Sequence, residues 1–414
     1  MTSAVANPPI RLLVVSSDNY PPFRVDVTVL FAGQLASRNF AIDWILQSEA
    51  ACRHGYVAQW GGGQVWVGAT DLGDSLPHRI WKHVLGVAND LKIFSRTRRG
   101  NYDAIEVKDK FLAGIFALLA SRLYRVPFIF WLSYPYPEHY LSSARDGTGR
   151  YRFLYTLRGL SFKWLLYRLL LPAADHVFVQ SEQMRQDVAA EGISAQKMTP
   201  VPMGVDMALG EAPDLSQQRT LLPPGAPCIL YLGALNRVRR IDFLVRAFAL
   251  VRQSVPEALL YLVGRGEDAA DEQLLHDEVA RLGLGGSVVF VGQLPQAKAL
   301  QYVQEADVCA SPLYPSPVLR AASPTKLVEY MALAKPSVAN DHPEQKRVLD
   351  ASGGGYSVPY DEGAFAQAIV TLLEDPEAAR SMGRRGREWA IANRNYQVIA
   401  DAVERQLRAV AKRP

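Results

Sequence analysis

The sequence predicts an α/β protein with two doubly wound domains. The chain has 414 residues, of which 49% are hydrophobic and 21% are charged, so it can bury large cores and exceeds the length of one ordinary domain. Short apolar runs alternate with amphipathic segments, as they do where helices connect parallel strands. Polar, loop-like sequence continues from the rigid turn at 200–206 to Pro227, and it marks a boundary between two such series.

We therefore expect an N-terminal domain over 1–205, a linker over 206–226 and a second domain over 227–385. The first-domain strands are predicted as short apolar runs that end in polar loops. They lie at 10–16, 40–44, 65–68, 102–109, 127–132 and 174–181. Helical periodicity or polarity predicts helices at 78–99, 111–124 and 182–191.

Two loops at predicted strand ends are expected to contact a substrate, because open α/β sheets bind ligands outside the carboxyl ends of their strands. The acceptor-side candidates in these loops, 17–24 and 133–140, are Arg24, Tyr134, Glu138 and His139. Arg24 could contact an anion, or it could be a solvated loop arginine. His139 could line a reaction centre, or it could face solvent.

The second domain is predicted to have buried strands at 228–233, 258–264, 288–292 and 306–312. A short helix with Pro324 in its first turn and Ser323 as its cap should then lead into another buried strand after Pro336. The first amides of this helix lack internal partners and the helix dipole is positive there, so Thr325 and Lys326 predict an anion site.

Glu329 lies one turn further along the same predicted helix, where its carboxylate can accept hydrogen bonds from hydroxyl groups. A pyrophosphate at the helix start and a ribose diol on Glu329 would together accommodate a nucleotide sugar. The alternative is an ordinary capped helix of an α/β domain.

The run Pro-Thr-Lys-Leu-Val-Glu-Tyr-Met-Ala at 324–332 resembles the donor-binding motif of GT-B glycosyltransferases, in particular the retaining family four. The segments 174–181 and 200–206 are also similar to patterns of that family. The resemblance implies two Rossmann-like doubly wound domains that face each other across a cleft. It further implies that the tail, 386–414, forms a helix that returns to the first domain.

The same resemblance implies the donor contacts. In the loop 234–240, Arg239 stands where the family has a diphosphate-binding lysine, and Ala234 stands where it has an arginine, which Arg237 or Arg240 could replace. Ala321 replaces an earlier family glutamate. Arg239 and Lys326 are the implied catalytic residues, because they would stabilise the leaving diphosphate. The implied donor-binding residues are Gly233, Arg239, Arg240, Gly264, Val291, Gly292, Thr325, Lys326, Leu327 and Glu329.

The implied reaction is transfer of a sugar, with retained anomeric configuration, from a nucleotide-diphosphate sugar to a saccharide acceptor such as a lipid-linked or growing bacterial polysaccharide. No essential metal or other cofactor is expected, since nothing resembles the Asp-x-Asp site of the other main glycosyltransferase architecture. Two alternatives remain at this point. One is a nucleotide-sugar epimerase of the same fold, and the other is a non-catalytic nucleotide-sugar-binding scaffold.

The segment 150–171 combines aromatic and leucine residues with five cations and contains no acid. Such a composition favours contact with an anionic membrane surface, and the alternative is a core helix whose arginines extend to solvent. A net charge of +4 does not predict nucleic-acid binding. Three widely spaced cysteines, no signal-like start and no long apolar run predict a cytoplasmic protein that meets a membrane only peripherally.

Overall fold

The computed structural model describes residues 8–100, 102–147, 151–206 and 219–411. These residues form two units, one of 1–202 with 396–414 and the other of 203–395, within the described ranges. Arg150 and most of the predicted linker lie outside the described residues.

The first unit contains an eight-stranded sheet in the order β3-β4-β2-β1-β5-β6-β7-β8. Its strands are β1 (Ile10–Tyr20), β2 (Phe40–Ser48), β3 (Tyr56–Trp60), β4 (Gly63–Gly68), β5 (Ala104–Lys108), β6 (Phe128–Leu132), β7 (His176–Val179) and β8 (Met198–Pro200). Neighbouring strands are parallel except for the antiparallel pair β3 and β4. This pair turns at Gly61 and Gly62, whose φ angles of 59° and 86° favour glycine.

Helices cover the sheet of the first unit. They are α1 (Leu76–Asp90), α2 (Lys92–Gly100), α3 (Phe111–Tyr124), α4 (Tyr136–Arg145), α5 (Arg152–Trp164), α6 (Leu171–Ala173) and α7 (Glu182–Ala190). Two π-helical segments, Asp26–Leu35 and Leu165–Leu170, complete the set before the C-terminal helix. The segment 133–140 was predicted to be a loop, and this was wrong for most of its length, because α4 begins at Tyr136 with Pro137 in its first turn.

The second unit contains a six-stranded parallel sheet in the order β11-β10-β9-β12-β13-β14. Its strands are β9 (Cys228–Leu232), β10 (Leu259–Val263), β11 (Val288–Gly292), β12 (Val308–Ser311), β13 (Ser337–Asn340) and β14 (Gly355–Val358). Its helices are α8 (Asp242–Ser254), α9 (Ala269–Arg281), α10 (Gln296–Glu305), α11 (Thr325–Ala332), α12 (Pro343–Ser352), α13 (Glu362–Glu374) and α14 (Pro376–Asn393).

Alternate residues of β9 pack into different cores, as expected for a strand that is covered on both faces. Ile229 and Tyr231 belong to one buried cluster, whereas Cys228 and Leu230 belong to another. In the first sheet, the successive residues Leu12 to Val15 of β1 are all buried, so this strand is covered on both faces as well. The prediction of two Rossmann-like doubly wound domains is confirmed.

The C-terminal helix α15 (Tyr396–Ala411) packs on the first unit. Its residues Ile399, Val403 and Leu407 are buried in the same cluster as Phe31 of the π-helical segment and Phe40 of β2. The predicted tail, 386–414, is divided between two helices, because α14 continues to Asn393 in the second unit and α15 begins three residues later.

One acidic side chain lies within the core of the first unit. Glu106, in the middle of β5, is 0% exposed, and neither of its carboxylate oxygens has a hydrogen-bond partner. Burial raises the pKa of Glu106 to about 8, against an opposing effect of the Lys108 charge. The carboxyl group is therefore mostly protonated at neutral pH.

Candidate functional site in the second unit

Two glycines follow adjacent strands of the second sheet and bring their backbones together. Gly233 comes directly after β9 and Gly264 directly after β10, with φ angles of 147° and 143°. The Gly233 N–H donates to the Val263 carbonyl at 2.9 Å, and the Gly264 N–H donates to the Gly292 carbonyl at 3.0 Å. A Cβ on Gly264 would lie 1.9 Å from the Gly233 oxygen, so this approach requires glycine.

Lys326, in the first turn of α11, reaches the end of β9. Its Nζ lies 3.8 Å from the centroid of the Tyr231 ring, and a Cβ on Gly233 would lie 2.8 Å from it. Burial lowers the pKa of Lys326 well below its usual value, and the positive charge of Arg239 lowers it further, while Glu329 opposes the shift. A bound anion would therefore stabilise the charged form of Lys326.

Arg239 provides the second positive charge. It lies in a 3₁₀ turn, Arg237–Arg239, whose other arginine, Arg237, has its Nε 3.4 Å from Asp271. Arg240, which follows the turn, pairs with Asp242 at 2.9 Å. Among the described residues, Arg239 has no carboxylate within ion-pair distance. Of the three arginines in this loop, it is thus the one left available to a bound anion.

Glu329 lies one turn after Lys326 on α11. Its Oε1 accepts a 3.4 Å hydrogen bond from the Gln296 amide at the start of α10. Burial raises the pKa of Glu329, although the Gln296 bond and the Lys326 charge both oppose this effect. A half-buried carboxylate with one long hydrogen bond retains capacity to accept hydrogen bonds from hydroxyl groups.

The start of α11 is held by two contacts that the sequence did not indicate. The Ser323 hydroxyl does not cap the helix as predicted but accepts from the Met203 N–H at 2.9 Å, and Pro324 occupies the cap position. The Tyr330 hydroxyl accepts from the Leu232 N–H at 2.8 Å, which connects α11 to the end of β9. These contacts fix the position of Lys326 relative to Gly233.

The other predicted donor residues differ in what they can offer. Leu327 is 0% exposed and packs in a core cluster, so only its backbone could contact a ligand. Thr325 and Val291 are half-buried. Gly292 has a φ of 80° and its carbonyl accepts from Gly264. The Ala234 carbonyl accepts from the Tyr231 hydroxyl at 3.0 Å, and Ala321 is buried.

Arg24 in the first unit lies in an internal ion cluster. Its guanidinium donates two hydrogen bonds to Asp26, at 3.0 and 2.7 Å, and lies 3.9 Å from Asp18. Lys108, only 1% exposed, joins the cluster 2.9 Å from Asp18 and 3.6 Å from Asp26. Burial alone would raise the pKa of Asp26, but Lys108 and Arg24 lower it overall. Arg24 is thus already neutralised by carboxylates.

The remaining acceptor-side candidates form two pairs around α4. The Tyr134 hydroxyl lies 3.1 Å from Nδ1 of His139, and burial lowers the pKa of His139. Glu138 instead accepts from the Tyr167 hydroxyl at 3.1 Å, and burial raises its pKa. Glu138 and His139 therefore contact different partners, although they are adjacent in sequence.

Asp109 and Ser133 were not predicted as site residues, yet they meet at the ends of β5 and β6. The Ser133 N–H donates to Asp109 at 2.8 Å, and the Ser133 hydroxyl donates to the other carboxylate oxygen. Burial raises the pKa of Asp109. With Asp18 near the carboxyl end of β1, these polar side chains lie at the ends of three neighbouring strands, which was the sequence signal that could have identified them.

The described ranges contain neither a candidate metal cluster nor a candidate membrane-spanning helix. No group of three or more His, Cys, Asp or Glu side chains there could hold a metal ion. No helix there is long and apolar enough to cross a membrane.

Two family models match the chain on either side of residues 205–225. The model described as "Glycosyl transferases group 1" matches residues 226–375, which include Gly233, Arg239, Lys326 and Glu329. The model described as "Glycosyl transferase 4-like domain" matches residues 22–204. The chain belongs to the group 1 glycosyltransferases. This membership assigns it to the glycosyltransferase class of enzymes.

Relatives and solved structures agree with this group 1 assignment. The chain is 23% identical to the putative glycosyltransferase EpsD of Bacillus subtilis, over 60% of this chain and 67% of that protein. It is 30% identical to the GDP-mannose-dependent α-(1-6)-phosphatidylinositol monomannoside mannosyltransferase of Mycolicibacterium smegmatis, over 40% of this chain and 44% of that protein. The matches thus span between 44% and 67% of these relatives' lengths.

Two solved structures show the same fold as this group 1 glycosyltransferase. Sucrose-phosphate synthase of Thermosynechococcus elongatus has a TM-score of 0.75 at 22% identity, over 97% of this chain and 99% of that chain. Anabaena HepE in complex with UDP has a TM-score of 0.69 at 15% identity, over 97% of this chain and 100% of that chain. The predicted GT-B class is confirmed, and these findings give no support to the epimerase alternative.

Proposed function

We propose that this group 1 glycosyltransferase transfers a sugar from a nucleoside diphosphate to a saccharide acceptor, with retention of the anomeric configuration. The observation that carries the proposal is a pair of cations without a carboxylate partner among the described residues. Lys326 lies beside the end of β9, and Arg239 lies in the turn that follows this strand and acts on Lys326 through its charge. Arg239 contributes to the lowered pKa of Lys326, and a ligand that brings several negative charges would stabilise the charged form of this lysine.

The diphosphate would lie against Lys326, Arg239 and the first amides of α11. Gly233 and Gly264 leave the backbone open there, because neither has a side chain to fill the space. As the bond between the sugar and the diphosphate breaks, negative charge grows on the leaving group, and cations already in place stabilise it without reorganisation. These groups supply the stabilisation that a metal ion would otherwise give, so we expect no essential metal.

The nucleoside would extend towards Glu329, whose carboxylate would accept hydrogen bonds from the ribose diol. Two solved structures of HepE, one in complex with UDP and one in complex with UDP-glucose, support a uridine donor. We place the acceptor on the first unit, near Tyr134, His139 and the Asp109–Ser133 pair.

We propose a lipid-linked or growing polysaccharide as the acceptor and the cytoplasmic face of the plasma membrane as the location. The name of the M. smegmatis relative, which describes mannosyl transfer to a phosphatidylinositol glycan, supports a lipid-linked acceptor. The exposed apolar side chains of α5, within the predicted membrane segment 150–171, support the location.

A thermal-shift screen against UDP, GDP, ADP, CDP and their common sugars tests the donor site, because a ligand that binds the folded state raises the melting temperature. We expect one nucleotide to raise the melting temperature of the wild type and to leave the melting temperature of the Lys326→Met variant unchanged. Lys346→Met, which removes an exposed lysine of α12 in the same unit, is the matched control.

Transfer itself is tested with the donor found in the screen and a set of lipid-linked and free saccharides. The anomeric configuration of the product, measured by proton NMR, should match that of the donor. An inverted product would contradict retention. Donor binding without transfer or hydrolysis on any acceptor would favour the scaffold alternative.

A further inference from the structure

Helix α1 exposes an apolar stripe that the rest of the first unit does not cover. Every residue from Leu76 to Val84 is exposed, although the helix is anchored at its other end by the buried residues Asn89 and Asp90. Leu76, Ile80, Trp81 and Val84 are between 47% and 71% exposed. Three of these recur every four residues and so share one face of the helix.

Helix α5 carries a second stripe of the same kind. Phe153, Leu157, Leu160 and Trp164 are between 53% and 76% exposed. At 100° per residue they lie within about 60° of one another around the helix. The interpretation of this part of the segment as a core helix is therefore wrong, whereas its continuation is buried at Leu166 and Leu170.

Helix α3 lies beside both stripes and extends them. It contacts α1, and the Phe111 ring at its start stacks on Phe162 of α5 with 4.5 Å between centroids. Its own Leu112, Leu119 and Leu123 are exposed and lie on one side of the helix. In the described ranges, 15 of the 24 exposed large apolar side chains lie between residues 72 and 164, so the exposure is concentrated on this surface.

The helices of this surface are rich in cations, although one of them, Lys163, is paired with Glu191 at 2.6 Å. Helices α1, α2, α3 and α5 together contain ten lysines and arginines and one acid, Asp90. Asp90 is buried and pairs with Lys110. Six of the ten cations belong to the surface helices α1, α3 and α5, namely Arg79, Lys82, Arg122, Arg152, Arg158 and Lys163, and the other four, Lys92, Arg96, Arg98 and Arg99, belong to α2.

We propose that α1, α3 and α5 form one surface that inserts into the headgroup region of an anionic lipid bilayer, with α1 as an anchor equal in weight to α5. Exposed Trp, Phe and Leu next to arginine and lysine suit the boundary between acyl chains and negative headgroups. The inference extends the proposed membrane location from the segment 150–171 to a three-helix face. It rests on that location and not on the donor site.

A second copy of the chain would fit this surface poorly. In a two-fold interface the same patch meets itself, so the cations of α1 and α5 would face cations of the partner copy. Anionic lipid neutralises them instead. The charge of the surface therefore favours the bilayer as its occupant.

The test measures cosedimentation of the full chain with vesicles. The wild type should bind vesicles that contain phosphatidylglycerol and should bind pure phosphatidylcholine vesicles much less, because the cations contribute to the attraction. The double variants Ile80→Glu/Trp81→Glu on α1 and Phe153→Glu/Trp164→Glu on α5 should each weaken binding at least about tenfold, because each loses two large apolar side chains from the interface. The matched control is Leu274→Glu, which changes a 49% exposed leucine of α9 in the second unit.

Three outcomes would overturn the inference. They are no binding of the wild type to anionic vesicles, unchanged binding by the α1 variant, and a vesicle-free wild-type dimer that the α1 and α5 variants convert to monomer. Melting temperatures of the same variants, measured with and without nucleotide, show whether a substitution on this surface also affects nucleotide binding. A variant that keeps its nucleotide shift is folded, whereas a wild type that binds vesicles but no nucleotide counts against the proposed transfer only.

Discussion

The Nζ of Lys326 lies 3.8 Å from the centroid of the Tyr231 ring, beside Gly233, the glycine that follows β9. The ring offers a cation–π contact that keeps the ammonium group in place. Unlike a carboxylate, the ring does not compete with a phosphate for the positive charge. The Tyr231 hydroxyl donates to the Ala234 carbonyl, so the aromatic platform is itself fixed. A lysine held in this way is positioned for an anion before the anion arrives.

Donor binding should be coupled to proton uptake by Lys326. Burial and Arg239 lower the pKa of the free lysine, and a diphosphate would raise it again. Between the lowered and restored pKa values, the bound state holds more protons, so nucleotide affinity should fall as pH rises through that window. Calorimetry in buffers of different ionisation enthalpy would measure the uptake. Lys326→Arg should remove it, and equal uptake by this variant would contradict the assignment.

Glu329→Gln should weaken nucleotide binding about tenfold, because hydrogen bonds from the ribose to a charged acceptor are replaced by weaker ones to an amide. The same substitution should have little effect on a 2′,3′-dideoxynucleotide, which lacks the diol. Titration of both ligands against both proteins gives the coupling between carboxylate and ribose. An equal loss for the two ligands would show that Glu329 acts on something other than the diol.

Gly264→Ala should destabilise the second unit by about 2 kcal/mol or more, because its φ is left-handed and its Cβ would lie 1.9 Å from the Gly233 carbonyl. Gly86→Ala in α1, where no atom lies within 4 Å of the added Cβ, is the control. That change should be neutral or stabilise by about 1 kcal/mol, as alanine does in helices. Urea denaturation compares the two, and equal stability of the Gly264 variant would contradict the close approach.

Glu106 should make the first unit less stable as pH rises from about 4.5 to about 8. In this window the folded state keeps the proton while the unfolded chain loses it, so the free energy of unfolding falls by up to about 1.4 kcal/mol per pH unit. Glu106→Gln has nearly the same shape without the ionisation, and it should remove this slope and be more stable than wild type at pH 8. Denaturant unfolding across the window would measure both effects. If Glu106→Gln leaves the pH dependence of the free energy of unfolding unchanged, the titrating group is a residue other than Glu106.

The sequence predicted the strands and the donor helix well because these depend on local patterns. Helix α3 occupies 111–124 as expected, and β9 and β13 lie where buried apolar runs end in small or polar residues. The donor candidates Lys326, Arg239 and Glu329 come from one unit in which each strand is followed by its own connection. Because the strands are parallel, the connections after them begin at the same edge of the sheet, so these three residues are expected to lie close together.

The rest depended on contacts between distant residues. The Ser323 hydroxyl bonds Met203, which is 120 residues away, and no local pattern shows that a cap will be diverted in this way. The Pro-rich segment after β6 was predicted to be a loop, but Pro137 in the first turn suits a helix. Arg24 also resembled a free loop cation until Asp18, Asp26 and Lys108 were brought together from two strands and a π-helical turn.

Helix α15 has a consequence for the order in which the chain can fold during synthesis. The core of the first unit includes Tyr396, Ile399 and Val403, which leave the ribosome after every other strand and helix of the described ranges. The second unit is continuous from 203 to 395 and needs none of them. We therefore expect the ribosome-bound chain to complete its second unit first and to close the core of the first unit only after α15 has emerged, against the usual order of synthesis.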